Sequence, residues 1–391
     1  MNLKSRIRVL GLLFIIASNS MVYGQSRVFT SALPFLEINN NARSMGLAGA
    51  DVALMGGYGV HLNPAIIGNP NNILISSPFT TESGYGLLET PWLKSVNDGI
   101  SFSSPFMIIG FDQLSIGVHI HQMNIEPIDY SEFLPEMENA EVFKSKYKIV
   151  GISGSYRLNE YLFVGAGVNY YKEQIYAVSV SGLSLDLGGY MHYPIRVQEV
   201  FTITPSAGIS ITDFGPHTVP DNIRNNEFFV DVGDSEDISA VIEPSKYPLP
   251  TRLRGGLGLQ FELDKKVFDL KPLSIGWYGA LNKGMNWNKD GSLASPIEAL
   301  FNPGAYPIRH SGFEYIFMEM VSIRVGSYKA HESEGGRVYN TIGFGLHYKY
   351  FQLDYAEIRE TSSDSWALNG TKYVQLTGII PLGLLTGLSG N

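Results

Sequence analysis

In 391 residues the chain carries 21 Phe, 22 Tyr, 42 Gly and no cysteine, and 17 % of it is charged, against the ~25 % usual for soluble domains. It is too apolar and aromatic for a disordered chain, and the lack of Cys excludes a disulfide framework, a thiolate zinc site and an iron–sulfur cluster. A net charge of −9 lacks the basic face that nucleic-acid binding requires.

Residues 1–24 read as a secretory signal peptide. Lys4, Arg6 and Arg8 form a positive start, Val9–Ala17 is a short apolar core, and Val22-Tyr23-Gly24 supplies the cleavage positions before Gln25. The apolar run is shorter than the ~20 residues a membrane-spanning helix needs. Cleavage would remove three positive charges and no negative one, moving the net charge from −9 to −12. A buried helix start is the alternative.

Residues 25–71 are rich in small residues, Asn and Gly, and show no long alternation. Asn39–Asn41 can cap a short helical turn from Ala42, Met45–Ala50 is compact, and Pro64 restricts Asn63 to extended geometry. Such a segment suits a plug inside a barrel lumen, the alternative being a flexible periplasmic leader.

From residue 72 to 391 the pattern changes to period two. Leu114, Ile116, Val118 and Ile120 fall on one face, with Ser115, Gly117, His119 and His121 on the other. The same rhythm runs through Tyr161–Tyr171, Leu253–Phe261, Leu273–Leu281, Val321–Tyr328 and Tyr339–Tyr348. Alternation alone fits either a soluble sandwich with its greasy face inward or a membrane barrel with that face outward. Three features favour the barrel. The non-greasy faces hold Gly and Ser rather than Lys and Glu, and Tyr and Phe gather at segment ends. Connections also alternate between short turns such as Asn159-Glu160 and long acidic excursions near 122–146, 213–250, 283–310 and 357–370. The expected fold is all-β, a transmembrane antiparallel barrel of about fourteen strands. Closure is obligatory there, because an unpaired backbone group in hydrocarbon costs several kcal/mol.

Enzymatic signatures are missing: there is no G-x-x-x-x-G-K, H-E-x-x-H or G-x-S-x-G. Gly255-Gly256-Leu257-Gly258 lies in an alternating strand, so lumen-facing glycines explain it better than a nucleotide loop. His119 and His121 share a strand face without an evident third ligand, and Asp234, Glu236 and Asp237 lack the spacing of a calcium loop. No catalytic residue, metal or cofactor is expected. The excursion over 125–141 mixes acids with aromatics, and Glu126, Tyr130, Phe133 and Glu136 are its candidate partner-docking residues. Simple solubilisation of an exposed loop explains them equally well.

Phe35-Leu36-Glu37-Ile38, Asn41-Ala42-Arg43-Ser44-Met45-Gly46, Gly49-Ala50-Asp51-Val52-Ala53 and Asn63-Pro64-Ala65 together resemble the PorV/PorQ family of type IX secretion outer-membrane proteins, related in fold to the FadL transporters. Two departures stand out: Leu62 precedes Asn63 where the family has tryptophan, and Pro381–Asn391 does not end on an aromatic residue. The resemblance implies a FadL-like barrel in the cell outer membrane with a short N-terminal plug, in which Arg43, Met45, Gly46, Gly49, Asn63, Pro64 and Ala65 shape the plug. It also implies a PorV-like, non-enzymatic component of protein transport. Such a barrel binds secreted cargo bearing a C-terminal sorting domain and passes it to the surface attachment machinery. Its partners are outer-membrane lipid, cargo, and type IX translocon and attachment-complex proteins. The alternatives are a FadL-like channel for hydrophobic small molecules and a soluble periplasmic β-protein.

Overall fold

The computed structural model describes residues 39, 41–56, 60–68, 71–78, 100–128, 143–175, 178–218, 227–230, 238–241, 248–285, 306–331, 334, 336–360 and 370–386. Residues 1–24, the expected signal peptide, and residues 129–142 lie outside them. The strands are β1 (Asn72–Pro78), β2 (Ile100–Ser103), β3 (Phe106–Gly110), β4 (Leu114–Ile128), β5 (Phe143–Arg157), β6 (Leu162–Ile175), β7 (Val178–His192), β8 (Ile195–Val197), β9 (Phe201–Phe214), β10 (Glu227–Val230), β11 (Ile238–Val241), β12 (Arg252–Leu263), β13 (Leu273–Gly284), β14 (Ile308–Phe317), β15 (Val321–Lys329), β16 (Val338–Tyr348), β17 (Phe351–Glu360) and β18 (Lys372–Pro381).

Neighbouring strands pair antiparallel around a closed ring. β2 and β3 both pair with β4, and β7 and β8 both pair with β9, so each couple forms one interrupted stave. β10 and β11 pair only with each other, outside the wall. Fourteen staves result. The last strand meets the first from Asn72↔Pro381 to Pro78↔Gln375, and β9 meets β12 from Thr212↔Arg252 to Phe201↔Leu263. An even, antiparallel, edge-free ring is the solution hydrocarbon demands.

Side chains sort across the wall as period two requires. Ile152, Leu187, Ile209 and Leu346 stand exposed on the outside, while Ser153, Asp186, Ser210 and Thr341 on the same strands are buried within. This inversion of a soluble protein's pattern, apolar outward and polar inward, distinguishes an outer-membrane barrel from a sandwich.

The two rims differ. Residues 111–113, 158–161, 318–320 and 349–350 make tight turns at one end, while the connections at 79–99, 129–142, 219–247 and 286–305 leave from the other. Both strand termini of the barrel lie at the short-turn rim, where Leu382 N–H donates to the Asn71 carbonyl at 2.9 Å. Phe111, Tyr156, Tyr193, Phe317, Tyr348 and Phe351 are exposed there, an aromatic girdle of the kind found where lipid meets water. Several tight turns place two left-handed residues in a row: Gln198-Glu199, Phe268-Asp269 and Met318-Glu319. This is the I′ geometry that matches strand twist, normally built from Asn-Gly.

The excursion expected at 122–146 is partly strand, since β4 runs to Ile128 and β5 starts at Phe143. β18 ends at Pro381, followed by a helical turn at Leu382–Thr386.

Candidate functional site

Residues 41–56 and 60–68 lie in the bore. Asn41 begins the passage as N-cap of the turn Ala42–Gly46, its side chain accepting from Ser44 N–H at 2.9 Å. Ala48 and Gly49 follow with φ of 53° and 75°, turning the chain sharply. A 3-10 turn covers Asp51–Ala53, and another covers Pro64–Ile67. Asn63 caps the second, accepting from Ala65 N–H at 3.0 Å, and Pro64 opens it where a missing N–H costs nothing. The wall closes on this path from many sides. Ser155 donates to the Ala65 carbonyl, Ser206 to Ala53, Ser210 to Leu62 and Thr341 to Gly46, while the Asn63 amide donates to the Val52 and Gly189 carbonyls. A buried segment without regular structure needs such partners for its backbone.

Backbone comes this close because the wall supplies glycine where it passes. A Cβ on Gly165 would stand 2.4 Å from Ala65 N, one on Gly208 2.1 Å from Val52 O, and one on Gly326 2.6 Å from Ala48 N. Gly188, Gly312 and Gly343 face Asn63, Leu47 and Gly46 in the same way. These positions form a seat around the inner segment. Of the Gly255–Gly258 run only Gly256 and Gly258 meet atoms inside; Gly255 faces open space and Leu257 is exposed, so the run is half lumen-facing rather than wholly so.

An ionic network fastens one end. Arg43 donates from Nε and Nη2 to the two oxygens of Glu314 on β14, at 3.0 and 2.9 Å. Arg324 on β15, fully buried, donates to Glu314 at 2.7 Å and to Asp354 on β17 at 2.7 Å, and Gln352 donates to the other Asp354 oxygen. Two cations and two anions balance in a bidentate, hydrogen-bonded arrangement, the condition under which buried charge is tolerated. Nearby, Ser44 donates to Asp51 at 2.6 Å, and burial raises the Asp51 carboxyl above its ordinary value despite that bond.

Against the opposite wall three imidazoles gather. His61 of the inner segment lies 5.4 Å from His121, ring centre to ring centre, and His119 lies 5.0 Å from His121. Ser104 bonds His121 Nδ1 at 2.7 Å, while His61 Nε2 and His119 Nδ1 are sealed without a hydrogen-bond partner. Burial lowers His61 to about 3, helped by Arg254 and His119. Among the described residues no such group is arranged to hold a metal ion.

The third feature is an apolar seam. β1 and β3 share four residue pairs, Ile73–Ser76 against Phe106–Ile109, where β5 and β6 share thirteen, from Ser145↔Ile175 to Arg157↔Phe163. Ser104 and Pro105 interrupt the stave here, and Pro105 has no N–H to give the ladder. Behind the seam Val60, Ile67, Leu74, Phe106 and Ile108 form a buried cluster with Ile379. On β1 the inner face carries Leu74 beside the buried Ser76, and Ile75 is exposed on the outer face.

The seven plug residues named from the sequence all lie along the bore. Arg43 holds Glu314, and Met45 packs among Tyr328, Tyr339 and Tyr373. Gly46 lies against Gly343, and Gly49 supplies a left-handed turn beside His310. Asn63, Pro64 and Ala65 meet β6 and β7 at Gly165 and Gly188. Tyr130, Phe133 and Glu136 of the docking loop lie outside the described residues, and only the backbone of Glu126, on β4, is described. Sequence reasoning missed Glu314, Arg324 and Asp354, although each falls in phase with the small or polar face of its strand. It also missed His61 as the companion of His119 and His121.

Fold and bore define an outer-membrane-type β-barrel threaded by its own N-terminal segment. No protein-family model matches the sequence, and no curated protein matches it. Among solved structures the chain is similar in fold to the CymD monoaromatic hydrocarbon channel (12 % identity, 88 % of this chain and 96 % of that one covered, TM-score 0.43). It is similar also to the Pseudomonas putida toluene transporter TodX (11 %, 86 % and 96 %, TM-score 0.38) and to a Pseudomonas aeruginosa FadL homologue (11 %, 88 % and 98 %, TM-score 0.39).

Proposed function

We propose that the protein is a non-enzymatic outer-membrane transport barrel that admits small hydrophobic molecules through its wall. In this reading it is exported by a cleaved signal over residues 1–24 and kept closed at rest by residues 41–68 acting as a plug. The observation that carries the reading is the seam: the shortest pairing between two staves among the described residues backs onto Val60, Ile67, Leu74, Phe106 and Ile108. A hydrophobic solute leaving the bore there meets apolar side chains and then lipid, and has a ladder of only four residue pairs to part. Purified protein in liposomes should take up a labelled fatty acid or monoaromatic hydrocarbon faster than empty liposomes, and Leu74→Asp should abolish the difference. Uptake equal to empty liposomes, from protein that migrates as a folded barrel, would refute the reading.

A second reading, a PorV-like component of type IX secretion, is favoured by the motif run itself, whose residues Arg43, Gly46, Asn63 and Ala65 all make close contacts in the bore. Its partners would be secreted cargo with a C-terminal sorting domain and the translocon and attachment proteins, with Glu126, Tyr130, Phe133 and Glu136 in the docking loop. Trimming 129–141, beyond the end of β4, should then lower cargo capture while the barrel still assembles. Normal surface display of sorting-domain proteins in a deletion strain counts against this reading and leaves the first untouched.

A further inference from the structure

The turn between β12 and β13 differs from its neighbours on the short-turn rim. It spans residues 264–272, where the other tight connections need two to four residues. Val267 and Leu270 exchange backbone hydrogen bonds at 2.9 and 3.1 Å, so the turn is a small hairpin of its own, with Phe268 and Asp269 at its tip. Phe268 is 89 % exposed, above every other exposed large hydrophobic side chain among the described residues, of which the next is Tyr348 at 62 %. It also has a φ of 53°, a left-handed conformation unfavourable for a bulky residue. Val267 beside it is exposed, and so are Lys265 and Lys266. Other charges of the turn are engaged: Lys271 holds Glu262 at 2.6 Å, and Thr202 donates to Asp264. The tip thus presents an aromatic ring and a valine with two available cations and one acid, Asp269.

A strained, solvent-facing phenyl ring with lysines on its stem is what a contact with a lipid surface requires. We propose that this hairpin seats Phe268 among the headgroups of the leaflet at the short-turn rim, with Lys265 and Lys266 on anionic phospholipid phosphates. Two observations favour lipid over a protein partner. The hairpin continues the girdle of Phe111, Tyr193, Phe317, Tyr348 and Phe351 that already marks the lipid boundary on this rim. The two exposed lysines also complement an anionic surface, each favouring it by about five-fold in partition. This contact is independent of what the barrel transports.

The test keeps the aromatic ring and every charge: Phe268 is replaced by 4-trifluoromethylphenylalanine in the full-length protein, reconstituted in bilayers with or without one anionic lipid in about three. The fluorine resonance is then relaxed either by a lipid-borne nitroxide or by a water-soluble gadolinium chelate. The proposal expects the lipid-borne agent to dominate in anionic bilayers, and a shift of about twenty-five-fold toward the soluble agent with Lys265→Gln/Lys266→Gln. Dominance of the soluble agent in both bilayers overturns it, as does an equal lipid preference in neutral bilayers. Heat-modifiable migration of each variant establishes that the barrel has folded, and a label at Glu160, in the tight turn between β5 and β6, supplies the aqueous reference.

Discussion

Adding one methyl group at Gly165 tests the seat directly. The new Cβ would lie 2.4 Å from both Ala65 N and the Pro64 carbonyl carbon, and 2.6 Å from the Pro64 oxygen. All three atoms belong to the backbone of a capped 3-10 turn, so no side chain can swing aside. Ordinary contact between such atoms needs ~3.5 Å, so the inner segment must retreat by about 1 Å. Overpacking of this kind costs about 1–3 kcal/mol, against a gain of about 0.5–1 kcal/mol from replacing a strand glycine. Gly165→Ala/Gly208→Ala repeats the insult at Val52 and should shift the balance between seated and released segment by a factor of ten or more. Gly255→Ala is the matched control, because nothing lies within 4 Å of its Cβ. In planar bilayers the double variant should conduct ions in long openings while wild type and Gly255→Ala stay quiet, and limited proteolysis should cut within 41–68 in the double variant alone. Equal conductance and equal protection in all three proteins would refute the seat.

Removing the Arg43 guanidinium as Arg43→Met should leave Glu314 with one cation and destabilise the seated segment by about 3–5 kcal/mol, read as faster proteolysis of residues 41–68. Arg43→Lys keeps the charge but loses the two-pronged bond and should fall between Met and wild type. Met318→Asn/Glu319→Gly gives the left-handed turn the residues it favours and should raise the urea midpoint of refolding by an amount equivalent to about 1–2 kcal/mol, since both positions have φ above 50°. For His61, burial puts the folded value near 3, below the ordinary 6.5. The unfolded chain therefore binds the extra proton first. Its contribution is complete above pH 6.5 and is lost as pH falls toward 3. His61→Phe should flatten the fall in plug protection over that window, and an unchanged pH profile would show that His61 is not its source.

The barrel was legible because its signal is repetitive. Each strand needs only two faces, and Leu114/Ser115 or Phe344/Gly345 state the choice locally. Chain order also sufficed for the inner segment, where Asn41, Asn63 and Pro64 are caps whose chemistry acts over three residues. What escaped notice is held together across the bore. Glu314, Arg324 and Asp354 lie on three different strands, and nothing in any one strand shows that its single charge has partners. The glycines of the seat were noticed as composition, but their purpose depends on which backbone passes within reach. Phe268 was hidden for another reason: left-handed turns usually announce themselves with Asn or Gly, and here Val-Phe-Asp-Leu does the same work under strain.

Because β1 hydrogen-bonds to β18, the ring has no closed form until its final ten residues arrive. Residues 41–68 precede every strand of the wall in the chain, yet the carboxylate that holds Arg43 stands on β14, 271 residues further on. The threaded peptide must therefore be held in an open, unfinished wall and enclosed as the last staves fold around it. Once the first and last strands zip together, entry and exit of that peptide become problems of sliding through a finished cylinder, so assembly order itself writes the resting state.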